Sequence, residues 1–235
     1  MLMDMEKVEE AITEKTRAII PVHLNGRMCN MGYLQDIVRE RMRHHHVIKV
    51  IEDAAQAVGA KFCGQRAGSW GNSGCFSFYP AKILGWYGEG GMITVNGKLR
   101  AELLYHQRDH GECPWYFMRD SNHEIFRWGY NSILDNIAAA VLNVKIEHLD
   151  HYIQRRREIA QMYNEGFSDL GAIVIPPFDD MYDPDEPRWF DVFQNYVIKV
   201  LDGQRDDLQN YLAERGIETM VHWRIPNHKQ LQISH

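Results

Sequence analysis

Cysteine is sparse in this 235-residue chain: Cys29, Cys63, Cys75 and Cys113 are the four present, with neither zinc-ligand spacing nor the density of a disulfide framework. Free thiols in a reducing compartment are the simplest account. No uninterrupted apolar run approaches the roughly 20 residues that a membrane helix needs, and no basic-then-apolar leader opens the sequence. Both absences lead to the expectation of a cytoplasmic protein with no membrane partner. Basic charge is short as well. Lys and Arg number 26 against 32 Asp and Glu, a formal charge of −6, and no basic stripe is visible, so nucleic acid is not an expected partner. Arg155-Arg156-Arg157 reads as a solvated helix face. Internal repeats and low-complexity tails are lacking too, and with 45% hydrophobic residues the chain can bury a sizeable core.

What the sequence does carry is a lysine in an informative setting. Ser77-Phe78-Tyr79-Pro80-Ala81-Lys82 runs into the glycine-rich Gly85-Trp86-Tyr87-Gly88-Glu89-Gly90-Gly91. Upstream, Val47-Ile48-Lys49-Val50-Ile51-Glu52-Asp53 reads as a short buried strand that brings Asp53 to its carboxyl end, where open α/β sheets place ligands. Ser77 lies in a second β-prone run, Cys75 to Tyr79. Glycines after Lys82 would let backbone approach a ligand closely. A lysine amine, a carboxylate and a hydroxyl so arranged are the parts for imine chemistry on pyridoxal phosphate: the amine bonds the aldehyde, the carboxylate keeps the pyridine nitrogen protonated, and the hydroxyl meets the phosphate. Each part alone has a plainer reading. An Asp after a strand is a common helix cap, a loop lysine is usually solvated, and glycine clusters mark ordinary turns.

The chain resembles the DegT/DnrJ/EryC1/StrS family of pyridoxal-phosphate sugar aminotransferases. The resemblance rests on Ala18-Ile19-Ile20-Pro21-Val22-His23-Leu24, Ile51-Glu52-Asp53-Ala54-Ala55-Gln56-Ala57, Gly68-Ser69-Trp70-Gly71, the Ser77 to Gly91 segment, Gly129-Tyr130-Asn131-Ser132 and Gly216-Ile217-Glu218-Thr219, in family order along essentially the whole chain. It implies that Lys82 bonds the cofactor aldehyde and Asp53 pairs with the pyridinium nitrogen. It further implies that Gln56 lies near the phenolic oxygen, Ser77 bonds the phosphate, and Asn131 reaches the phosphate of a neighbouring subunit in a homodimer. The implied reaction moves an amino group from an amino acid donor, which the resemblance implies is L-glutamate, to a nucleotide-linked keto sugar. A subgroup carries histidine at the lysine position and dehydrates the sugar; Lys82 favours transamination.

The resemblance also implies an α/β, type I pyridoxal-phosphate aminotransferase fold, with an incomplete large-domain sheet over residues 1–147 and a small carboxyl-terminal α/β domain over 148–235 that is expected to be incomplete as well. Family members are longer, and this sequence opens where a member is already inside its large domain. The expectation is a fragment without the first strand and helices, the small-residue phosphate loop and the aromatic that stacks on the pyridine ring, with unpaired edges and apolar faces left open. An inactive fragment, or a non-catalytic subunit binding a partner through the retained dimer surface, is therefore the alternative to an active enzyme.

Periodicity predicts helices over Met5–Ile12, Met31–His45, Lys98–Gln107 and Arg205–Arg215, and one or two long helices within Ser132–Tyr163. Strands are predicted over Arg17–Val22, Val47–Ile51, Cys75–Tyr79, Gly91–Val95, Phe193–Val200 and Ile217–Val221. Secondary site candidates are His23, which follows a strand on the ligand side, and His222 and His228, in a segment resembling one that approaches the active site in relatives. For His23 a hydrogen-bonded loop histidine is the alternative. His44-His45-His46 reads as a solvated helix end, because three consecutive histidines do not converge on one ion, so no metal is expected. Trp115-Tyr116-Phe117 reads as packing or interface, with substrate contact as the alternative.

Overall fold

In the segment Met31–Arg43 the apolar residues Met31, Leu34, Ile37 and Val38 recur at helical spacing, and all four are buried. Asn30 caps this helix by accepting from the Tyr33 N–H at 3.1 Å. The same logic builds the rest of the computed structural model, which describes residues 2–43, 46–111, 125, 127–178, 181–183, 186–226, 229 and 230. In chain order its elements are α1 (Met5–Ala11), β1 (Ala18–Ile19), α2 (Met31–Arg43), β2 (Lys49–Asp53), β3 (Lys61–Phe62), β4 (Gln65–Arg66), β5 (Ser73–Ser77), β6 (Gly91–Val95), α3 (Lys98–Gln107), α4 (Asn136–Ile146), α5 (Leu149–Phe167), β7 (Ile173–Val174), β8 (Met181–Asp183), β9 (Glu186–Pro187), β10 (Trp189–Phe190), β11 (Lys199–Val200) and α6 (Arg205–Ala213).

The sheet that positions the site has the order β1-β2-β5-β6. β1 and β2 run parallel with Ala18 opposite Lys49, and β2 and β5 run parallel with Asp53 opposite Cys75. β6 closes the set antiparallel, Ser77 opposite Gly91. Asp53 and Ser77 thus end neighbouring strands at the same edge. Pro21 interrupts the strand expected over Arg17–Val22, since it has no N–H to donate; its carbonyl still accepts from the Asp53 N–H at 2.9 Å. Beneath the sheet lies a core of Ile19, Met28, Leu34, Ile37, Ile48, Val50, Phe62 and Phe78, among others, which Leu142, Leu149 and Ile153 join from α4 and α5. Apolar side chains stand exposed on β6, α3 and α4, including Ile93, Leu99, Ile137 and Val144.

Two further regions differ from expectation. Ile217–Val221 forms no strand: Ile217 donates to the Leu212 carbonyl at 2.9 Å, and Ile217 and Met220 are half-exposed or more. A β-prone run becomes a strand only where another strand pairs with it, and among the described residues none pairs with this run, while β7 and β11 pair with each other. Phe193–Val200 is extended as a paired strand only at Lys199–Val200, because Phe193 adopts a left-handed φ of 48°. Just before it, β10 pairs antiparallel with β3, Trp189 opposite Phe62, and the Val192 N–H donates to the Gly26 carbonyl at 3.0 Å. Residues 189–195 are therefore packed against the first part of the chain.

Candidate active site

Asp53 is held by its backbone. Its N–H is bonded to Pro21 and its carbonyl accepts from the His23 N–H at 3.0 Å. The carboxylate Oδ1 accepts from the Ala55 N–H at 3.1 Å, and Oδ2 has no partner among the described residues. Burial pushes the Cys75 thiol pKa up, and the negative charges of Asp53 and Glu52 add to that effect.

The neighbouring Glu52 anchors this strand end. Its side chain is fully buried and accepts four hydrogen bonds: from His23 Nε2 at 3.0 Å and from the backbone N–H groups of Gly68 at 2.8 Å, Trp70 at 2.7 Å and Gly71 at 2.6 Å. Burial pulls its pKa up, but the bonds from His23, Gly71 and Gly68 outweigh it and leave the carboxyl below the ordinary glutamate range. His23 Nδ1 accepts from the Cys29 N–H at 3.2 Å, which makes Nε2 the protonated nitrogen facing Glu52. Both ring nitrogens of His23 are engaged inside the protein and the residue is 0% exposed. That geometry corrects the expectation of a substrate contact: His23 is a hydrogen-bonded internal histidine. No sequence motif singles out Glu52, although it lies on the same face of β2 as buried Val50, where a carboxylate needs partners.

Ser77 is half-buried, and its Oγ accepts from the Tyr79 N–H at 3.3 Å, which leaves its O–H free to donate. The chain then turns. The Lys82 N–H bonds the Tyr79 carbonyl at 2.9 Å, and Phe78 pairs with Gly90 at 2.8 Å and with Trp86 at 3.0 Å, closing the glycine-rich loop on itself. Lys82 is half-buried, and its Nζ has no partner among the described residues. Gln56 Oε1 accepts from the Asn25 N–H at 2.7 Å, and its Nε2 makes no bond among the described residues. Asn131 is exposed and forms an isolated antiparallel bridge with Asp109, beside the highly exposed Trp128 and Tyr130. His222 is half-buried in the unpaired segment after α6. His228, Cys113, Trp115-Tyr116-Phe117, His44 and His45 lie outside the described residues. Among the described residues no group of three or more His, Cys, Asp and Glu could hold a metal, and no helix is long and apolar enough to cross a membrane.

The residues present fit pyridoxal phosphate: an amine without a partner, a carboxylate oxygen without a partner, a hydroxyl with its proton to give, and an amide N–H₂ to spare, at the carboxyl ends of β2 and β5 or just beyond them. The mixed sheet and its flanking helices form the type I fold of pyridoxal-phosphate sugar aminotransferases. Within that class the chain belongs to the DegT/DnrJ/EryC1/StrS aminotransferase family, whose profile matches residues 1–234. Members of this family are pyridoxal-phosphate enzymes. The chain is 41% identical over 229 residues to a pleiotropic regulatory protein of Geobacillus stearothermophilus, with 97% of this chain and 56% of that protein covered. It is 37% identical over 227 residues to the dTDP-3-amino-3,4,6-trideoxy-alpha-D-glucose transaminase of Streptomyces venezuelae, covering 96% and 54%. Among solved structures, S. venezuelae DesV in complex with a ketimine intermediate superposes with a TM-score of 0.85 at 35% identity, covering 99% of this chain and 57% of DesV. The chain thus spans a little over half the length of these relatives.

Proposed function

We propose that this chain carries the lysine and the pyridine-facing carboxylate of an aminotransferase that acts on a nucleotide-linked keto sugar, with an amino acid, L-glutamate, as donor. The observation that carries the reading is the placing of Asp53 and Ser77 at the ends of adjacent parallel strands, with the Lys82 loop leaving the second of them. Relatives named for dTDP- and UDP-linked keto sugars support the substrate class.

Pyridoxal phosphate, when bound, supplies the electron sink that lets an amino acid Cα–H ionise. The protein's part is binding and proton handling. Asp53 offers its Oδ2 to the pyridinium and favours the protonated ring through charge. Ser77 donates its hydroxyl to the phosphate, and Gln56 offers its Nε2 to the phenolic oxygen. Lys82 would hold the cofactor through its amine, and that amine, when free, would take up and return the proton of the donor's Cα, as base and then as acid. Asn131 extends to the phosphate of a neighbouring copy, which makes a homodimer the assembly of this reading. His222 and His228 remain candidates for the sugar side.

An absorbance spectrum of the purified protein with added pyridoxal phosphate tests this reading. A Schiff-base band at about 410–430 nm is expected, absent from Lys82→Ala and bleached by L-glutamate. A folded protein with no lysine-dependent band would refute it.

A further inference from the structure

The two backbone groups that flank Lys82 are held by one distant side chain. Gln194 Nε2 donates to the Ala81 carbonyl at 2.7 Å, and Gln194 Oε1 accepts from the Ile83 N–H at 3.0 Å, across sequence separations of 113 and 111 residues. Only one orientation of the amide satisfies both bonds, since the N–H must meet oxygen and the carbonyl must meet the NH₂. Gln194 is 7% exposed, so water does not replace these partners freely. The side chain is a two-pronged clamp on the peptide planes either side of Lys82, and those planes set the direction in which the lysine leaves the backbone.

The clamp is itself braced. Arg156 Nη1 donates to the carbonyls of Phe193 and Gln194, each at 3.1 Å. The Leu24–Gly26 turn lies flat against the same backbone: a Cβ on Gly26 would sit 2.8 Å from the nitrogens of both Phe193 and Gln194, so only glycine permits the approach. From that turn the network reaches the second site element. Asn195 Nδ2 donates to Asn25 Oδ1 at 3.3 Å, and the Asn25 N–H donates to Gln56 Oε1 at 2.7 Å. Two consecutive residues therefore hold the lysine loop on one side and, through Asn25, the Gln56 amide on the other.

We propose that Gln194 is a positioning residue for Lys82, and that Gln194 with Asn195 sets the lysine loop and Gln56 in a common register toward one ligand. The proposal rests on the reading of Lys82 as the cofactor lysine.

Gln194→Met keeps the shape of the side chain and removes both bonds; Gln194→Glu keeps the acceptor for Ile83 and loses the donor to Ala81. Three readouts separate positioning from mere stability: amide hydrogen exchange at Ile83 without cofactor, the dissociation constant for pyridoxal phosphate, and visible circular dichroism per bound cofactor, which reports chromophore orientation. For Gln194→Met the expected result is exchange at Ile83 faster by about tenfold while β5 amides are unchanged, cofactor affinity weaker by about tenfold, and an altered dichroism band. Gln194→Glu keeps the Ile83 bond but sets a carboxylate oxygen against the Ala81 carbonyl, so exchange at Ile83 is expected to stay near native while cofactor affinity falls and the dichroism band changes; native affinity and dichroism in Gln194→Glu overturn the positioning role if the Met variant does not fold. In Gln194→Met, unchanged exchange at Ile83 overturns the clamp. Faster exchange with native affinity and dichroism overturns the positioning role and leaves a structural one. A native protein with no lysine-dependent band overturns the functional reading and the positioning role together, an outcome recognisable before any variant is made.

Discussion

Replacing Glu52 by Gln should cost this protein several kcal/mol of stability without touching a cofactor group. The native carboxylate accepts from Trp70 and Gly71 through Oε1 and from Gly68 and His23 through Oε2. A Gln oxygen can keep the first pair, but its NH₂ then faces the Gly68 N–H and His23 Nε2, donor against donor. His23 cannot relieve the conflict by changing tautomer, because its Nδ1 already accepts from Cys29. Two buried donors are left without acceptors, at about 1–3 kcal/mol each, which predicts a loss of about 2–6 kcal/mol. Urea unfolding at pH 7 reads this as a midpoint shift of about 0.7–3 M if the slope is about 2–3 kcal/mol/M. Asp53→Asn serves as the control: its carboxylate has one local bond, to Ala55, and the change should cost about 1 kcal/mol or less. A loss below about 1 kcal/mol for Glu52→Gln would refute the anchoring role.

Because the pKa of Glu52 is lowered from its ordinary 4.5 in the folded state, its stabilisation is complete above that value and fades as the pH falls through the lower folded value. Urea midpoints measured from pH 7 down to pH 3 should therefore show an acid loss that Glu52→Gln flattens. Cys29 is buried, donates its Sγ–H to the Val22 carbonyl at 3.2 Å, and has a pKa raised to about 11. At pH 8 about one thiol in a thousand is ionised, so a thiol reagent should label exposed Cys63 at once and Cys29 only after denaturant, as read by mass spectrometry of the labelled peptides. Gly74→Ala would bring a Cβ to 2.2 Å from the Gly68 Cα and 2.8 Å from Thr94 Oγ1, and backbone cannot move aside cheaply. A loss of at least about 3 kcal/mol by the same urea assay is expected, and a native midpoint would show that the Gly68–Gly74 approach is not required.

Much of the local structure follows from the sequence alone. β6 and α3 occupy the residues expected of them, and α2 begins at Met31 as expected, because β-prone and helix-forming residue types and, in α2, apolar periodicity act within one element. The strand that ends at Asp53 and the glycine-rich loop after Lys82 were legible for the same reason. The tertiary structure decided what depends on partners far along the chain. Ile217–Val221 has β-forming residues but no strand partner among the described residues, whereas Trp189–Phe190 becomes a strand because Phe62 and Lys61 meet it. His23 faces Glu52 rather than a ligand, a pairing that 29 residues of intervening chain conceal. Gln194 finds the peptide groups beside Lys82 only after α5 and the 189–195 segment have folded back on the sheet. Sequence periodicity settles which residues form a strand or helix; which buried polar group meets which depends on closure of long loops, and no local pattern encodes that.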